Sequence, residues 1–455
     1  MSHYFTEKSR KLIEQLATPA GECALIDNDY YGRYDVKRGL RDINGRGVVC
    51  GVTEISEIIS SEEMPDGTRR AIPGELYYRG YDIKEIVRGF LRERRCGFEE
   101  TTYLLLFGRL PTRKELKGFV TLLNDLRRLP KYFVRDLIMK APSQCMMNAL
   151  SRGALSLYAY DENADDISIS NVLRQLLQLT AQFPLISVYG YNTHRHFHDG
   201  ASLIIHQPVK DFSTAENILH LIREDSKFTE LEALILDMCL ILHAEHGGGN
   251  NSTFTTHVVS SSGTDTYAAI TASLGSLKGP RHGGANIMVV KMIDNIAKNL
   301  KSRSDGDIKD YIAKLLDKEA FDKSGLIYGM GHAVYSISDP RADVLKSFVE
   351  RLAHEKGRDA EYELYAKNER LAPEVIGEKR QIYKGVSANI DFYSGLVYDM
   401  LGLPTELYTP LFAISRIAGW GAHRIEELAN NGKIIRPGYQ AVAERKPYVP
   451  ISQRE

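Results

Sequence analysis

The stretch from Thr229 to Gly249 constrains the fold most. Thr229-Glu-Leu-Glu232 is a capping box, in which the Thr side chain caps a helix and Glu232 reaches back to the cap. The residues that follow, to Leu242, are apolar nearly all round apart from Asp237, so this helix has no solvent face and must lie inside the protein. It ends before Gly247-Gly248-Gly249, where glycine stops helices readily. His243 and His246 are three apart and share a face. A buried helix therefore delivers two imidazoles and Glu245 to a glycine-rich loop. The chain has 455 residues, enough for a large core and for two domains, since single cores rarely grow past roughly 250–300 residues.

Elsewhere helical periodicity dominates, so the expectation is an all-α fold with minor short strands near the N-terminus. Residues 48–55 and 75–81 alternate like strands around the turn-rich Met64-Pro-Asp-Gly67. No internal repeat interrupts the helical pattern. The apolar run from Leu231 to Leu242 is too short to span a bilayer, which needs about 20 residues. The first residues, with Glu7 and Glu14, read as an amphipathic helix rather than an export or transit sequence. The net charge of −1 gives no global attraction to nucleic acid or an anionic membrane, so an anionic ligand must be met by local cations. Five widely spaced cysteines with no Cys-x-x-Cys pair point to a reducing cytoplasm, with neither a zinc site nor a disulfide framework.

Three places put titratable groups beside glycine or at turns. His282 stands in Gly279-Pro-Arg-His-Gly-Gly-Ala-Asn286, just before a helix start, where the helix dipole disfavours imidazolium and leaves a neutral, donating histidine. His332 closes Gly329-Met-Gly331-His332, followed by Asp339-Pro340-Arg341. Asp391 stands in Asn389-Ile390-Asp391. Two histidines and a carboxylate make a general acid/base set. Arg341, Arg416 in an apolar helical stretch, and Arg436 suit a dicarboxylate ligand, because a buried arginine is costly without an anion. Taken singly, His282 or His332 also fits a hydrogen-bonded core or loop histidine, Asp391 a helix cap, and Arg416 a salt-bridged side chain. His243, His246 and His257 lack the carboxylate–histidine spacing of a known metal site, and no metal is expected. The glycine segments lack the dinucleotide and phosphate-loop patterns.

Together and in order, these segments resemble the citrate synthase family. Leu76-Tyr-Tyr-Arg-Gly-Tyr-Asp82, Phe98 to Pro111, His243-Ala-Glu-His246, Gly279 to Asn286, Gly329 to His332 with Asp339-Pro-Arg341, Asn389-Ile-Asp391, and Ser415-Arg-Ile-Ala-Gly-Trp-Gly-Ala-His423 carry the resemblance. It implies a homodimer, with a large domain over 1–284, a small domain over 285–396, and a return to the large domain with a C-terminal arm over 397–455. It implies that Asp391 removes a methyl proton from acetyl-CoA, that neutral His282 donates to the thioester oxygen, and that His332 holds and protonates the oxaloacetate carbonyl. His246, Arg341 and Arg416, supported by His243, resemble the oxaloacetate ligands, and Arg436 resembles an arginine reaching into the neighbouring subunit's site. After Gly-x-Gly-His the family often carries basic residues associated with CoA phosphates, where this chain has Ala333 and Ser336. Lys278, Lys323, Lys346 and Lys384 are the candidates left for that contact. No permanently bound cofactor is implied; acetyl-CoA is a co-substrate. The competing readings are a 2-methylcitrate synthase using propionyl-CoA, a non-catalytic metabolite-binding paralogue, and a metal-dependent lyase.

Overall fold

The computed structural model describes residues 6–42, 46–331, 334–380 and 385–454. The chain divides into two units, Met1–Gly51 with Arg436–Glu455, and Val52–Ile435. In the first, helix α1 (Glu7–Cys23) begins where the Thr6 hydroxyl accepts from the Ser9 N–H at 3.1 Å, and none of its residues is buried. A short helix α2 (Asp29–Arg33) follows. The described C-terminal part carries one 3-10 turn, Ile451–Gln453.

The second unit opens with an antiparallel sheet of β1 (Ser56–Glu63), β2 (Arg69–Tyr78) and β3 (Tyr81–Asp82). The expected strand at 48–55 is displaced. The turn closed by Met64 N–H to Thr68 O at 2.8 Å pairs Glu63 with Arg69, so the partner of β2 is the segment directly before that turn. Local hairpin geometry overrides the apolar alternation upstream, and Val49 and Val52 are left 80% and 95% exposed. The register slips between Ile59 and Ser61, opposite Ile72, Pro73 and Gly74. At that bulge the Gly74 N–H donates to Ser338 O at 3.1 Å, and any Cβ would collide with Ser338 O and Tyr335. The bulge thereby seats the loop that leads to Asp339 and Arg341.

The remaining elements are helical, matching the expected fold class. They are α3 (Ile83–Arg92), α4 (Phe98–Phe107), α5 (Arg113–Leu126), α6 (Met146–Ser156), α7 (Ile169–Asp199), α8 (Thr214–Ile222), α9 (Glu230–His243), α10 (Asn251–Ser260) and α11 (Thr266–Lys278). Then come α12 (Ala285–Asn299), α13 (Asp305–Leu316), α14 (Pro340–Glu355), α15 (Asp359–Arg380), α16 (Ile390–Met400) and α17 (Tyr408–Ala429). The Thr229–Glu232 capping box forms as the sequence indicates, with Glu232 N–H to Thr229 Oγ1 at 3.2 Å and Thr229 N–H to Glu232 Oε2 at 2.8 Å.

Two groups of helices position the site. One is centred on α7 and α17, with α4, α6, α10 and α11 packed around them. The other consists of α12 to α16, in which Gly395 lets α16 approach α12 so closely that a Cβ would lie 2.8 Å from Asn286 O. Helix α9 packs on α17 from the first group and on α14 and α16 from the second, so its end is delivered between them. All five cysteines are unpaired. Among the described residues no helix is long and apolar enough to cross a membrane.

Candidate active site

The end of α9 is held by β2. The Tyr78 hydroxyl accepts from the Glu245 N–H at 3.2 Å and lies 2.9 Å from Glu245 O, which fixes the turn out of the helix. Gly247 takes φ +83°, and a Cβ there would lie 2.8 Å from Ile58 Cδ1, so only glycine makes this turn under the sheet. His243 is buried, and its Nδ1–H donates to Cys239 O at 2.8 Å. Burial, aided by the charges of Arg341 and Arg416, holds its pKa at about 3. It is therefore neutral, and its Nε2 presents a lone pair rather than a proton. His246 packs its ring edge-on against Tyr335, centroids 5.6 Å apart.

Helix α17 supplies one stripe of residues at spacings of three and four: Phe412, Arg416, Trp420, His423 and Glu427. Arg416 is fully buried. Its Nε donates to His243 O at 2.6 Å and its guanidinium lies 4.8 Å from the Phe412 ring centroid. Nη1 and Nη2 have no hydrogen-bond partner among the described residues. Burial lowers its pKa to about 10, opposed first by Glu245, so it stays cationic at neutral pH. A buried cation with unpartnered Nη groups carries a desolvation cost that a bound anion would offset. Phe412 is the hub: the His243 ring stands 4.8 Å and the His282 ring 6.1 Å from it, both edge-on.

His282 sits in the loop between α11 and α12, where Gly283 N–H to Leu277 O at 3.0 Å folds the chain back and a Cβ on Gly283 would strike that carbonyl. Its Nε2 is 2.9 Å from Ser252 Oγ. Ser252 also accepts from the Trp420 indole N–H at 3.1 Å, and its Oγ lies 3.0 Å from Asn250 Oδ1. Burial, followed by the charge of Arg416, lowers the His282 pKa to about 4. The neutral state expected from sequence agrees with this lowering, and burial is its leading cause.

The carboxylate comes from α16. Asn389 caps this helix by accepting from the Asp391 N–H at 3.0 Å, and its own Nδ2 donates to Gly331 O at 2.9 Å. Asp391 keeps partial solvent access, yet its Oδ1 is buried and accepts no hydrogen bond from a described residue. Burial raises its pKa to about 6 against the pull of Arg341. Arg341, in the first turn of α14, is buried and gripped by Asp339 through Nε to Oδ1 at 3.0 Å and Nη2 to Oδ2 at 2.7 Å. Asp339 Oδ2 also accepts the Ile390 N–H at 3.2 Å, which couples the first turns of α14 and α16.

A family model described as citrate synthase, C-terminal domain, matches residues 40–438. The chain belongs to the citrate synthase family. It is 36% identical over 434 residues to the citrate synthase of Synechocystis sp., covering 94% of this chain and 96% of that one. It is 33% identical over 381 residues to a 2-methylcitrate synthase of Shewanella oneidensis, covering 83% of this chain and 92% of that one. Among solved structures it is similar to the citrate synthase of the archaeon Thermoplasma acidophilum in ternary complex with carboxymethyl coenzyme A and oxaloacetate. That match has a TM-score of 0.73 and 27% identity, and covers 92% of this chain and 99% of that one.

Within this citrate synthase fold, His243, His282 and Arg416 meet around Phe412, while Arg341 and Asp391 exert charge on the same cluster. His332 and Lys384 lie outside the described residues. Arg436 belongs to the other unit, where it is exposed. Lys278 and Lys323 are exposed, and Lys346 is paired with Glu369, which also accepts from the Tyr393 hydroxyl at 2.7 Å. Sequence reasoning missed Phe412, Ser252 and the grip of Asp339 on Arg341. Trp420 was open to inference: it is the single tryptophan and stands one helical turn from Arg416. Of the histidines weighed as metal ligands, His257 meets His423 and Glu426, with ligand atoms within 4.8 Å of one another.

Proposed function

We propose that this chain condenses acetyl-CoA with oxaloacetate and water to give citrate and free CoA. The observation that carries the reading is the open, fully buried fork of Arg416 beside a neutral histidine and a carboxylate of raised pKa. The ternary complex of the Thermoplasma relative supports the same pair of ligands here. Arg416 and Arg341 take the oxaloacetate carboxylates, with His246 and His243 beside them. Neutral His243, with Nδ1–H committed to Cys239, accepts a proton-bearing group and cannot donate to a carboxylate.

Asp391 removes a methyl proton from the thioester. The electron pair moves onto the thioester oxygen, where His282 donates a hydrogen bond to the developing charge. With Nε2 engaged at Ser252, that donor is Nδ1, which requires the Ser252 hydroxyl proton to point to Nε2 rather than to Asn250. The enol carbon attacks the oxaloacetate ketone, whose oxygen takes a proton from His332. Water then cleaves the thioester, releasing CoA and the new carboxylate. Residues 285–396 act as the small domain that closes over oxaloacetate before the thioester docks, excluding water from the enol. The enzyme works as a cytoplasmic homodimer, with Arg436 contributed to the neighbouring site and Lys278 and Lys323 available to CoA phosphates.

The Shewanella relative favours a second reading, 2-methylcitrate formation from propionyl-CoA by the same residues. One methylene in an apolar pocket discriminates by about 1–3 kcal/mol. Oxaloacetate-dependent CoA release, measured as kcat/KM across a panel of acyl-CoAs, decides between them. A preference for acetyl-CoA supports the first reading, and a preference for propionyl-CoA overturns it in favour of the second.

A further inference from the structure

A chain of two imidazoles and two carboxylates runs away from the site along α17. Glu245 Oε1 accepts from His423 Nε2 at 3.2 Å, His423 Nδ1 lies 3.0 Å from His257 Nε2, and His257 Nδ1 lies 2.7 Å from Glu427 Oε2. The two rings thus link the buried Glu245 to Glu427 through three successive polar contacts. The inner end, Glu245, is fully buried. Oε1 of Glu245 also accepts from Ser56 Oγ at 2.9 Å and from the Gly247 N–H.

The other oxygen is the telling one. Glu245 Oε2, Arg416 Nη1 and Arg416 Nη2 are all buried and all without a hydrogen-bond partner among the described residues. The two opposite charges therefore influence each other strongly without being bonded. Gly419 explains the spacing: it lies on α17 between Arg416 and His423, and a Cβ there would collide with Glu245 Oε2 and the Ala244 carbonyl. Arg79, Tyr78, Arg341, Glu54 and Glu426 also act on this carboxylate's surroundings.

We propose that Glu245 is the resting counter-ion of Arg416, held off its guanidinium by the His423–His257–Glu427 chain so that both Nη groups stay open for a substrate carboxylate. His423 and His257 are positioning residues in this account. Had Glu245 bonded the fork directly, the incoming carboxylate would have to displace it. Held where it is, Glu245 balances the buried charge of the empty site and moderates the affinity of the filled one. The inference rests on the reading of Arg416 as an oxaloacetate ligand.

Charge balance and mere anchoring of the turn predict opposite signs. With Glu245→Gln, which keeps an acceptor for Ser56, Gly247 and His423, the free protein should melt lower. It should nonetheless bind oxaloacetate at least threefold more tightly, by calorimetry, because the competing negative charge is gone. His423→Leu frees Glu245 to bond the fork, so it should weaken oxaloacetate binding at least threefold, and His423→Gln, which keeps a donor for Glu245, should reverse most of that change. Weaker or equal oxaloacetate binding in folded Glu245→Gln overturns the proposal. If that variant folds only with oxaloacetate present, the counter-ion role is supported; if saturating oxaloacetate does not recover it, the proposal falls. Arg416→Gln separates the two levels: undiminished oxaloacetate affinity there refutes the site reading itself, whereas a large loss there with unaltered binding in Glu245→Gln refutes only the counter-ion role.

Discussion

Asp339 grips Arg341 at 3.0 and 2.7 Å, with both side chains buried, while a second arginine of the same site, Arg416, leaves both Nη groups open. The Arg341 guanidinium is oriented by a protein carboxylate, whereas that of Arg416 is held only through Nε. Because Asp339 also receives the Ile390 N–H, it orients the first turn of the helix that carries Asp391. Asp339→Ala should therefore destabilise the fold by about 3–5 kcal/mol in urea unfolding, the cost of stranding a buried charge. A loss below about 1 kcal/mol would show that the pair is not a structural clamp.

Asp391→Asn should cost turnover about 10²–10⁴-fold or more while oxaloacetate still binds. It should also raise stability at pH 8. The folded pKa of about 6 lies above the unfolded value of about 3.9, so ionisation disfavours the folded state. That penalty is absent below pH about 3.9, grows between the two values, and is full above about 6. Asparagine removes it, so the melting temperature of the variant should exceed that of the wild type at pH 8 and converge with it at pH 4. The same titration predicts that wild-type turnover rises with pH through about 6, then levels off on that limb.

Ser252→Ala removes the acceptor of the Trp420 indole N–H and the contact that orients His282. An orphaned buried donor costs about 1–3 kcal/mol of stability. Steady-state kinetics should show kcat falling while KM for oxaloacetate changes little, because the serine acts on the thioester side. His282→Ala should cost about 10²–10³-fold in kcat, the usual loss when one donor to a developing oxyanion is deleted. A larger effect on oxaloacetate KM than on kcat in either variant would move His282 to the other substrate.

Gly329 has φ +77°, and a Cβ would lie 2.8 Å from Val289 Cγ2 and 3.0 Å from Phe392 Cα. Gly329→Ala meets both a strained backbone and a clash with the helix carrying Asp391. It should lose about 1–3 kcal/mol of stability and lower kcat together. Full activity in a folded variant would show that this loop is not a fixed wall of the site.

How much of this was legible in the sequence depended on how local its cause was. The Thr229–Glu232 box, the all-round apolar run and the glycines after it mark α9 and its paired histidines, because capping and burial act over a few residues. The strand at 48–55 failed for the opposite reason: its alternation was real, but hairpin closure at Met64–Thr68 chose a different partner. The neutrality of His282 was legible and its cause was not, since burial comes from residues distant in the chain. The open fork of Arg416 and the contact of His257 with His423, 166 residues apart, exist only after folding. The Glu245 role follows from a buried carboxylate oxygen and a buried guanidinium that act on each other by charge and are not bonded, a relationship with no sequence signature.

The most direct measurement is release of free CoA from acetyl-CoA with and without oxaloacetate, alongside quantification of citrate. The account predicts no release without oxaloacetate, and with it one citrate per CoA, abolished in Asp391→Asn. Thioester cleavage that proceeds without oxaloacetate, or that continues near the wild-type rate in Asp391→Asn, would contradict it.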